Sequence, residues 1–273
     1  MKTFTARKNT KLTVAVLDEL PQLGYGTIRK ILREKDVKVN GKRVSEDVKL
    51  SVGDEVTVYY KDSDEKRLYD VVYEDENVLI ANKYPKITSD DLFLKLSAGK
   101  ELYYIHRLDR NTSGLIVFAK NKESEKELLN GFKNRLFDKR YIAEVYGVPE
   151  KKEATLTAYL VKDAETGRVK IYDTAVEGSV RIITEYKVIK SGGGTSLLEI
   201  KLVTGKTHQI RAHLAHIGHF VIGDGKYGVE SINKKYKKNG QRLTAYKITF
   251  SFGPTDKLYY LNGKTFEIKA DYV

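Results

Sequence analysis

The sequence predicts an α+β chain: a mostly antiparallel mixed sheet preceded by a small α+β domain. Three observations carry this. Strand-like segments follow one another beyond residue 70 with few helices between them, a pattern unlike βαβ units. The first 60 residues hold a complete pattern of their own, two short helices and a few strands. A hydrophobic share of 41% over 273 residues supports one or two cores rather than a string of them.

In the first unit, Leu12, Ala15, Val16 and Leu20 recur at helical spacing, with Asn9 or Thr10 as expected N-cap and Pro21 as the stop. A second helix follows Gly26 and Thr27. Its apolar stripe is Ile28, Ile31 and Leu32, while Arg29, Lys30 and Arg33 share a different face. Val37, Val39, the Asn40–Gly41 pair and Val44 read as a hairpin, because Asn-Gly suits a type I′ turn. Gly53–Asp54 introduces the alternating strand Val56, Val58, Tyr60. Residues 61–69, KDSDEKRLY, are polar and aperiodic and read as a linker. The expected domains are therefore 1–60 and 70–273.

In the second, Val71–Tyr73 and Val78–Ala81 flank a turn at Glu74–Asn77, and residues 84–105 read as a loop. The apolar run Leu115–Ala119 predicts a buried strand. A helix over about 123–136 gathers Leu128, Leu129, Phe132 and Leu136 on one side. Tyr141, Ala143 and Val145 alternate with Ile142, Glu144 and Tyr146. Strands are expected over 154–161, 168–172, 181–189 and 196–203, a helix over 207–217, and strands over 243–251 and 257–269. No internal repeat is visible.

Lys and Arg number 49 against 37 Asp and Glu, a net charge of +12. Residues 1–60 hold +4 of it. Such a surplus points to an anionic partner, nucleic acid first. Cysteine is absent, which excludes disulfides, thiolate catalysis and Cys-ligated zinc. The N-terminus MKTFTARKNTKL lacks an apolar signal core, and no run approaches the roughly 20 apolar residues that cross a bilayer. A cytoplasmic protein with no membrane partner is expected.

Several motifs mislead. Gly223, Gly225 and Gly228 satisfy G-x-G-x-x-G, but a dinucleotide site needs a strand before it and a helix after it. Here a helix is expected before it and a polar, basic stretch follows. Gly205–Lys206–Thr207 ends like a Walker A motif, yet Ile200 stands where its first glycine belongs. No nucleotide cofactor is expected. His208, His213, His216 and His219 cluster within twelve residues, but no H-E-x-x-H spacing occurs and Arg211 would repel a cation. Neither a metal nor any other cofactor is expected.

The segment HRLDRNTSGLIVFAK (106–120) is the most informative. Asp109 sits between Arg107 and Arg110 just ahead of the buried strand, with Thr112, Ser113 and Gly114 as turn residues. A carboxylate so flanked is kept ionised and suits a base or nucleophile. By residue types alone, a structural Asp–Arg pair at a turn fits as well. Tyr141 alone reads as a core aromatic, and an Arg211 partly buried beside Ile210 and Ala212–Leu214 needs an anionic partner.

HRLDRNTSGL resembles the catalytic motif of the RluA-type pseudouridine synthases. TGKTHQIRAHLAHIGHFVIGDGKYG (204–228) is similar to that family's second signature. VVYEDENVLIANK (71–83) resembles its opening strand pair, and KRYIAEVYG (139–147) its tyrosine strand. Residues 1–60, with VKVNGKRV (37–44) and VGDEVTV (52–58), resemble the S4 RNA-binding domain. The resemblance implies isomerisation of uridine to pseudouridine in structured RNA, on the pseudouridine synthase fold. It makes Asp109 the essential carboxylate, Arg211 its ion-pair partner and Tyr141 the ring that stacks on the target base. His106, Arg107, Arg110, Thr112, Lys206, His208 and Gln209 become RNA contacts within the matching motifs, and Arg29, Lys30 and Arg33 an RNA-binding face. It also implies large-subunit ribosomal RNA as substrate for a monomer, with tRNA, or a silent RNA-binding or ribosome-assembly role on the same fold, as alternatives. Departures are Tyr84–Pro85 where the family has Lys-Pro directly after the strand, Lys206 where it often has Arg, and Thr244 where many relatives have His. Residues 229–242, with Lys234, Lys235, Lys237, Lys238 and Arg242, read either as an RNA-contacting insertion or as a solvated loop, with a loop disordered without RNA the favoured expectation.

Overall fold

Short β-branched segments in the first 60 residues assemble a four-stranded antiparallel sheet with two helices on it. The computed structural model describes residues 1–20, 23–60, 68–163, 167–236 and 240–273, and these divide into two units, Met1–Leu68 and Tyr69–Val273. The first contains β1 (Lys2–Thr5), β2 (Thr10–Lys11), α1 (Leu12–Glu19), α2 (Gly24–Arg33), β3 (Val37–Val39), β4 (Lys42–Val44), β5 (Lys49–Leu50) and β6 (Glu55–Val58). The strand order is β1-β6-β3-β4, with β2 and β5 paired separately. Asn40 and Gly41 have φ of 50° and 78°, the left-handed pair that a type I′ turn requires. Leu12, Val16, Leu23, Ile28, Val37, Val56 and Val58 form the core. Arg29, Lys30 and Arg33 lie exposed on α2.

The expected cap of α1 is not the one used. The Asn9 side chain accepts from the Val52 amide, and Thr10 is spent in β2. Asp47 instead binds the Thr13 amide at 2.8 Å and its hydroxyl at 2.9 Å. A partner 34 residues away satisfies the first turn, which local capping rules do not see.

The second unit runs β7 (Tyr69–Glu74), β8 (Val78–Lys83), α3 (Ser89–Leu96), β9 (Tyr103–Tyr104), β10 (Ser113–Ala119), α4 (Lys122–Lys133), β11 (Asp138–Tyr146), β12 (Glu153–Lys162), β13 (Val169–Tyr172), β14 (Val180–Gly192), β15 (Thr195–Leu202), α5 (Gln209–His216), α6 (Glu230–Lys235), β16 (Leu243–Thr249), a 3-10 helix (Lys257–Leu261) and β17 (Thr265–Glu267). Eleven strands form one mixed, mostly antiparallel sheet ordered β13-β12-β14-β15-β11-β16-β10-β8-β7, with β17 beside β16 and β9 beside β10. Among the described strands only β10 and β16 pair in parallel. One core lies under α4 and the 3-10 helix, around Val117, Leu128, Phe137, Ile248 and Leu258. A smaller one, around Leu160, Ile182 and Ala212, seats α5. Among the described residues no helix is long and apolar enough to cross a membrane.

Several expected elements differ. The loop at 84–105 contains α3, whose Thr88 hydroxyl accepts from the Asp91 amide, with Asp90 and Asp91 in the first turn. That capping signal stands in the sequence. The helix expected to 136 ends at Lys133, where Arg135 turns left-handed at φ 58°, and Leu129 and Leu136 are exposed. The strand expected over 257–269 is a 3-10 turn followed by three strand residues, because Gly263 at φ 73° breaks the run. The basic loop at 229–242 holds α6, with Lys237 and Lys238 outside the described residues. The linker expected at 61–69 also lies outside them, apart from Leu68 and Tyr69.

Gly114 is where β10 approaches β16. Its φ is 119°, and a Cβ there would lie 2.2 Å from the Ala245 carbonyl oxygen. Gly114→Ala should therefore lower the unfolding free energy by about 3 kcal/mol or more, combining overpacking with backbone strain. Urea unfolding measures this, and a loss within the range of an ordinary surface change would show that the two strands can separate there.

Candidate active site

The sheet centre brings together residues remote in sequence. Asp109 lies in the loop entering β10, Tyr141 on β11, and Arg211 on α5 beyond β15. All three line a cleft of about 590 Å³, together with His106, Arg107, Thr112, Lys139, Lys206 and His208.

Arg211 organises its floor. Its Nη1 donates to Asp109 Oδ2 at 2.8 Å, while Nε and Nη2 donate to the two oxygens of Asp224 at 2.7 and 2.9 Å. Arg211 is buried, the Asp224 side chain is 0% exposed, and Asp109 keeps 23% of its surface open to the cleft. Although burial opposes it, hydrogen bonding and charge from Asp224, then from Asp109, raise the Arg211 pKa. Burial likewise works against the Asp224 carboxylate, but Arg211 and the Lys226 and Tyr227 amides hold its pKa below the usual range. Sequence reasoning missed Asp224. It lies inside the G-x-G-x-x-G look-alike, and the visible signal was an Arg whose five donors exceed what one carboxylate can take.

Below the guanidinium, the Tyr227 ring centroid lies 5.2 Å from the Arg211 Cζ. The Tyr227 hydroxyl meets His208 Nδ1 at 2.9 Å, and His208 Nε2 stands 3.9 Å from Asp109 Oδ2. His208 has φ 54°, a left-handed conformation uncommon for such a side chain and frequent at functional sites. Tyr141 is 8% exposed; burial first, and the Asp109 charge second, raise its pKa so that the phenol stays protonated.

The loop carrying Asp109 is fastened on both sides. Leu108 donates its amide to Ser89 Oγ, which donates in turn to the Leu108 carbonyl. The Arg110 carbonyl accepts from the Lys86 amide and from Lys83 Nζ. Lys83 is fully buried, and its Nζ also donates to the carbonyls of Tyr84 and Ile87. Burial pushes its pKa down to about 7, opposed by the Asp109 charge.

Three residues expected to face RNA are engaged internally. Gln209 is 2% exposed: its oxygen accepts from Thr204 Oγ1 and the Lys206 amide, and its nitrogen donates to the Ile183 carbonyl and Thr184 Oγ1. That exhausts its hydrogen-bonding capacity. Thr112, buried at the cleft wall, accepts from Gln241 Nε2 at 2.8 Å. The His106 ring stacks on Phe132 at 4.5 Å, with Nε2 accepting from the Val117 amide. Lys139 Nζ lies 4.7 Å from the Phe132 centroid. Arg107 and Lys206 are exposed at the cleft, and exposed Arg110 donates from Nε to the Lys86 carbonyl. The clustered histidines scatter: His213 Nδ1 meets Thr184, His216 meets Asp173, and His219 Nδ1 meets the Tyr146 carbonyl.

A family model described as RNA pseudouridylate synthase matches residues 69–216. A Rickettsia prowazekii protein named ribosomal large subunit pseudouridine synthase C is 32% identical over 243 residues, covering 78% of this chain and 80% of the relative. A Mycoplasma genitalium protein described as an uncharacterized RNA pseudouridine synthase is 30% identical over 272 residues, covering 92% and 87%. The solved structure of human RNA pseudouridylate synthase domain containing 1 shares the fold, with a TM-score of 0.59 and 24% identity over 75% of this chain and 92% of that one.

Two histidines, His213 buried and His106 half-buried at the cleft, give the chain a defined acid response. Burial, with the nearby Lys139 charge, pushes His106 down to about 3, and burial, with His216, pushes His213 down to about 4. In an unfolded chain histidine titrates near 6.5, so the unfolded state takes up protons that the folded state refuses. Stability is complete above about pH 6.5 and falls as the pH drops below it. Each histidine should contribute a slope of up to about 1.4 kcal/mol per pH unit in urea unfolding between about pH 6 and pH 5. Replacing both by Gln should flatten that slope. An unaltered slope would mean that the two rings are protonated in the folded chain.

Proposed function

Since the chain belongs to the RNA pseudouridylate synthase family, and is an RNA pseudouridine synthase of the RluA type, we propose that Asp109 is its catalytic carboxylate and that its substrate is a uridine of large-subunit ribosomal RNA. The observation that carries the first part is the Asp109–Arg211 pair at 2.8 Å, opening into the cleft beside Tyr141. The second rests on relatives named as ribosomal large subunit pseudouridine synthases.

In this reading the target uridine leaves its stack and enters the cleft, whose volume of about 590 Å³ suits a nucleoside-sized guest. Asp109, oriented by Arg211, drives cleavage of the N1–C1′ bond. Uracil is retained against the Tyr141 ring, rotates, and rejoins through C5, which gives up its proton while N1 gains one, so the product is an isomer and no other reactant is consumed. A phenol held protonated suits Tyr141 to stacking rather than to base catalysis. Arg107 and Lys206, exposed at the cleft, supply charge for the surrounding phosphates, with Arg110 beside them. His208, bonded to Tyr227, flanks the carboxylate. Residues 1–60 act as an S4-like RNA-binding domain through Arg29, Lys30 and Arg33, joined by the linker at 61–69 to the catalytic domain at 70–273. The enzyme works in the cytoplasm, where bacterial ribosomal RNA is made.

Deleting the gene and mapping pseudouridines across total RNA tests the assignment. At least one large-subunit site should disappear, return with the wild-type gene, and stay absent with Asp109→Asn. Restoration by Asp109→Asn would remove Asp109 from the chemistry, and loss confined to tRNA would move the substrate. Changing Arg29, Lys30 and Arg33 to Gln should weaken RNA binding and lower the salt slope by about one for each phosphate that is no longer neutralised. Filter binding over a salt series measures both. An unaltered slope would return that helix face to solvent.

A further inference from the structure

Asp224 fixes Arg211, and Arg211 fixes Asp109, so the next question is what fixes Asp224. Its carboxylate accepts from the Lys226 and Tyr227 amides of its own loop, which shapes the loop but does not anchor it. Ile222 is bonded to the sheet and Lys226 Nζ to the Gly167 carbonyl, and a further anchor comes from α6. The Gly223 amide donates to Asn233 Oδ1 at 2.8 Å, and Asn233 Nδ2 donates to the Asp224 carbonyl at 3.2 Å. One side-chain amide thus holds the backbone on both sides of the Gly223–Asp224 peptide. Its orientation is unambiguous, since an amide N–H can only donate and a carbonyl can only accept.

The surroundings leave the loop little freedom. Gly223 has φ 78°, and a Cβ there would lie 1.9 Å from the Gly240 carbonyl oxygen. At Gly228 a Cβ would meet the Asp224 carbonyl oxygen at 2.4 Å and Asn233 Nδ2 at 3.0 Å. The helix bearing Asn233 is itself tied down. Ile232, Asn233 and Tyr236 are half-buried while Lys234 and Lys235 are exposed, and the Tyr236 hydroxyl donates to the Gly193 and Gly194 carbonyls.

We propose that Asn233 is a positioning residue for the reaction: through Asp224 and Arg211 it sets the direction in which Asp109 faces the cleft. This rests on the reading of Asp109 as the catalytic carboxylate. A misplacement of about 1 Å at reacting atoms can cost about 100-fold in rate, so a tether two residues removed from Asp109 is worth a measurable part of that. The other bonds to the Asp224 backbone are local, from its amide to the Val221 carbonyl and from the Gly228 amide to its carbonyl, while Ile222, bonded to Glu144 and Arg242, ties the loop to the sheet just before Gly223; Asn233 is the tie from α6.

The test uses the full-length enzyme in excess over total RNA from cells lacking its gene, so that a single turnover is followed. Asn233→Ala, which removes both bonds, should lower the rate constant about 10- to 100-fold while the fraction of sites converted stays near the wild-type value. A residue serving folding alone would lower the converted fraction and the melting temperature, and leave the rate constant of the surviving enzyme unchanged. Asn233→Asp keeps the acceptor for Gly223 but sets a carboxylate against the Asp224 carbonyl; protonation restores a donor. Its rate relative to wild type should rise as the pH falls from about 7 to about 4, through the ordinary range of an aspartate. An unchanged rate constant in Asn233→Ala, with Asp109→Asn inactive, overturns the inference and leaves the role of Asp109 standing. Turnover by Asp109→Asn overturns the reading beneath it. If Asn233→Ala does not fold, a flat rate ratio for Asn233→Asp across that pH range overturns the inference equally.

Discussion

The site depends on one guanidinium shared by two carboxylates. A buried arginine is tolerated only with an anion against it, and a buried carboxylate only with donors around it. Arg211 and Asp224 meet both conditions through two hydrogen bonds, within a wall closed by Tyr227. The third bond, to Asp109, is therefore additional to what the pair needs to remain folded. This matters for chemistry. In the proposed reaction Asp109 must alter its charge or its bonds during turnover. If Asp109 were the sole partner, each such step would strand a buried cation. With Asp224 in place, Arg211 keeps its position whatever state Asp109 takes.

The same division between holding and acting runs through the loop that carries Asp109. Ser89 and Lys83 fasten Leu108 and Arg110, its neighbours on either side. Burial pulls the Lys83 pKa downward, yet its three carbonyl acceptors call for three N–H bonds, which only the ammonium form supplies. The parallel pairing of β10 with β16 sets the loop beside β11, which brings Tyr141 next to it. In the proposed function, a carboxylate fixed this firmly leaves the RNA to adjust to the enzyme, by flipping the base.

How far this was legible depends on the range of each interaction. The Asn40–Gly41 hairpin was readable because two adjacent residues determine it. The cap of α1 was not, because Asp47 supplies it from 34 positions away. The Asp109–Arg211 contact spans 102 positions, and residue types gave only half of it: Arg211 needed an anion and Asp109 had arginines on both sides. Family resemblance joined the halves. It also drew Gln209 and Thr112 toward RNA, since a motif names residues without saying whether they touch the substrate or brace those that do. Asp224 escaped notice for the converse reason: its glycines read as a nucleotide loop that the flanking elements rule out, and the carboxylate between them went with them.

Burial also sorts the positive surplus of +12 by function. In the proposed function the exposed cations, such as Arg107 and Lys206 at the cleft and the α2 triplet, draw in a polyanion over roughly a Debye length, about 10 Å at moderate salt. Burial shifts others: fully buried Lys83 falls to about 7 and half-buried Lys139 to about 8. His106, half-buried, stacked on Phe132 and accepting from an amide, is pushed down to about 3. Among the described cations Arg211 alone combines burial with an unyielding charge, because a guanidinium keeps its proton at any ordinary pH. A lysine in its place would bring three donors from one nitrogen where three bonds leave in three directions from three. It could sit against either carboxylate, but it could not direct one by means of the other.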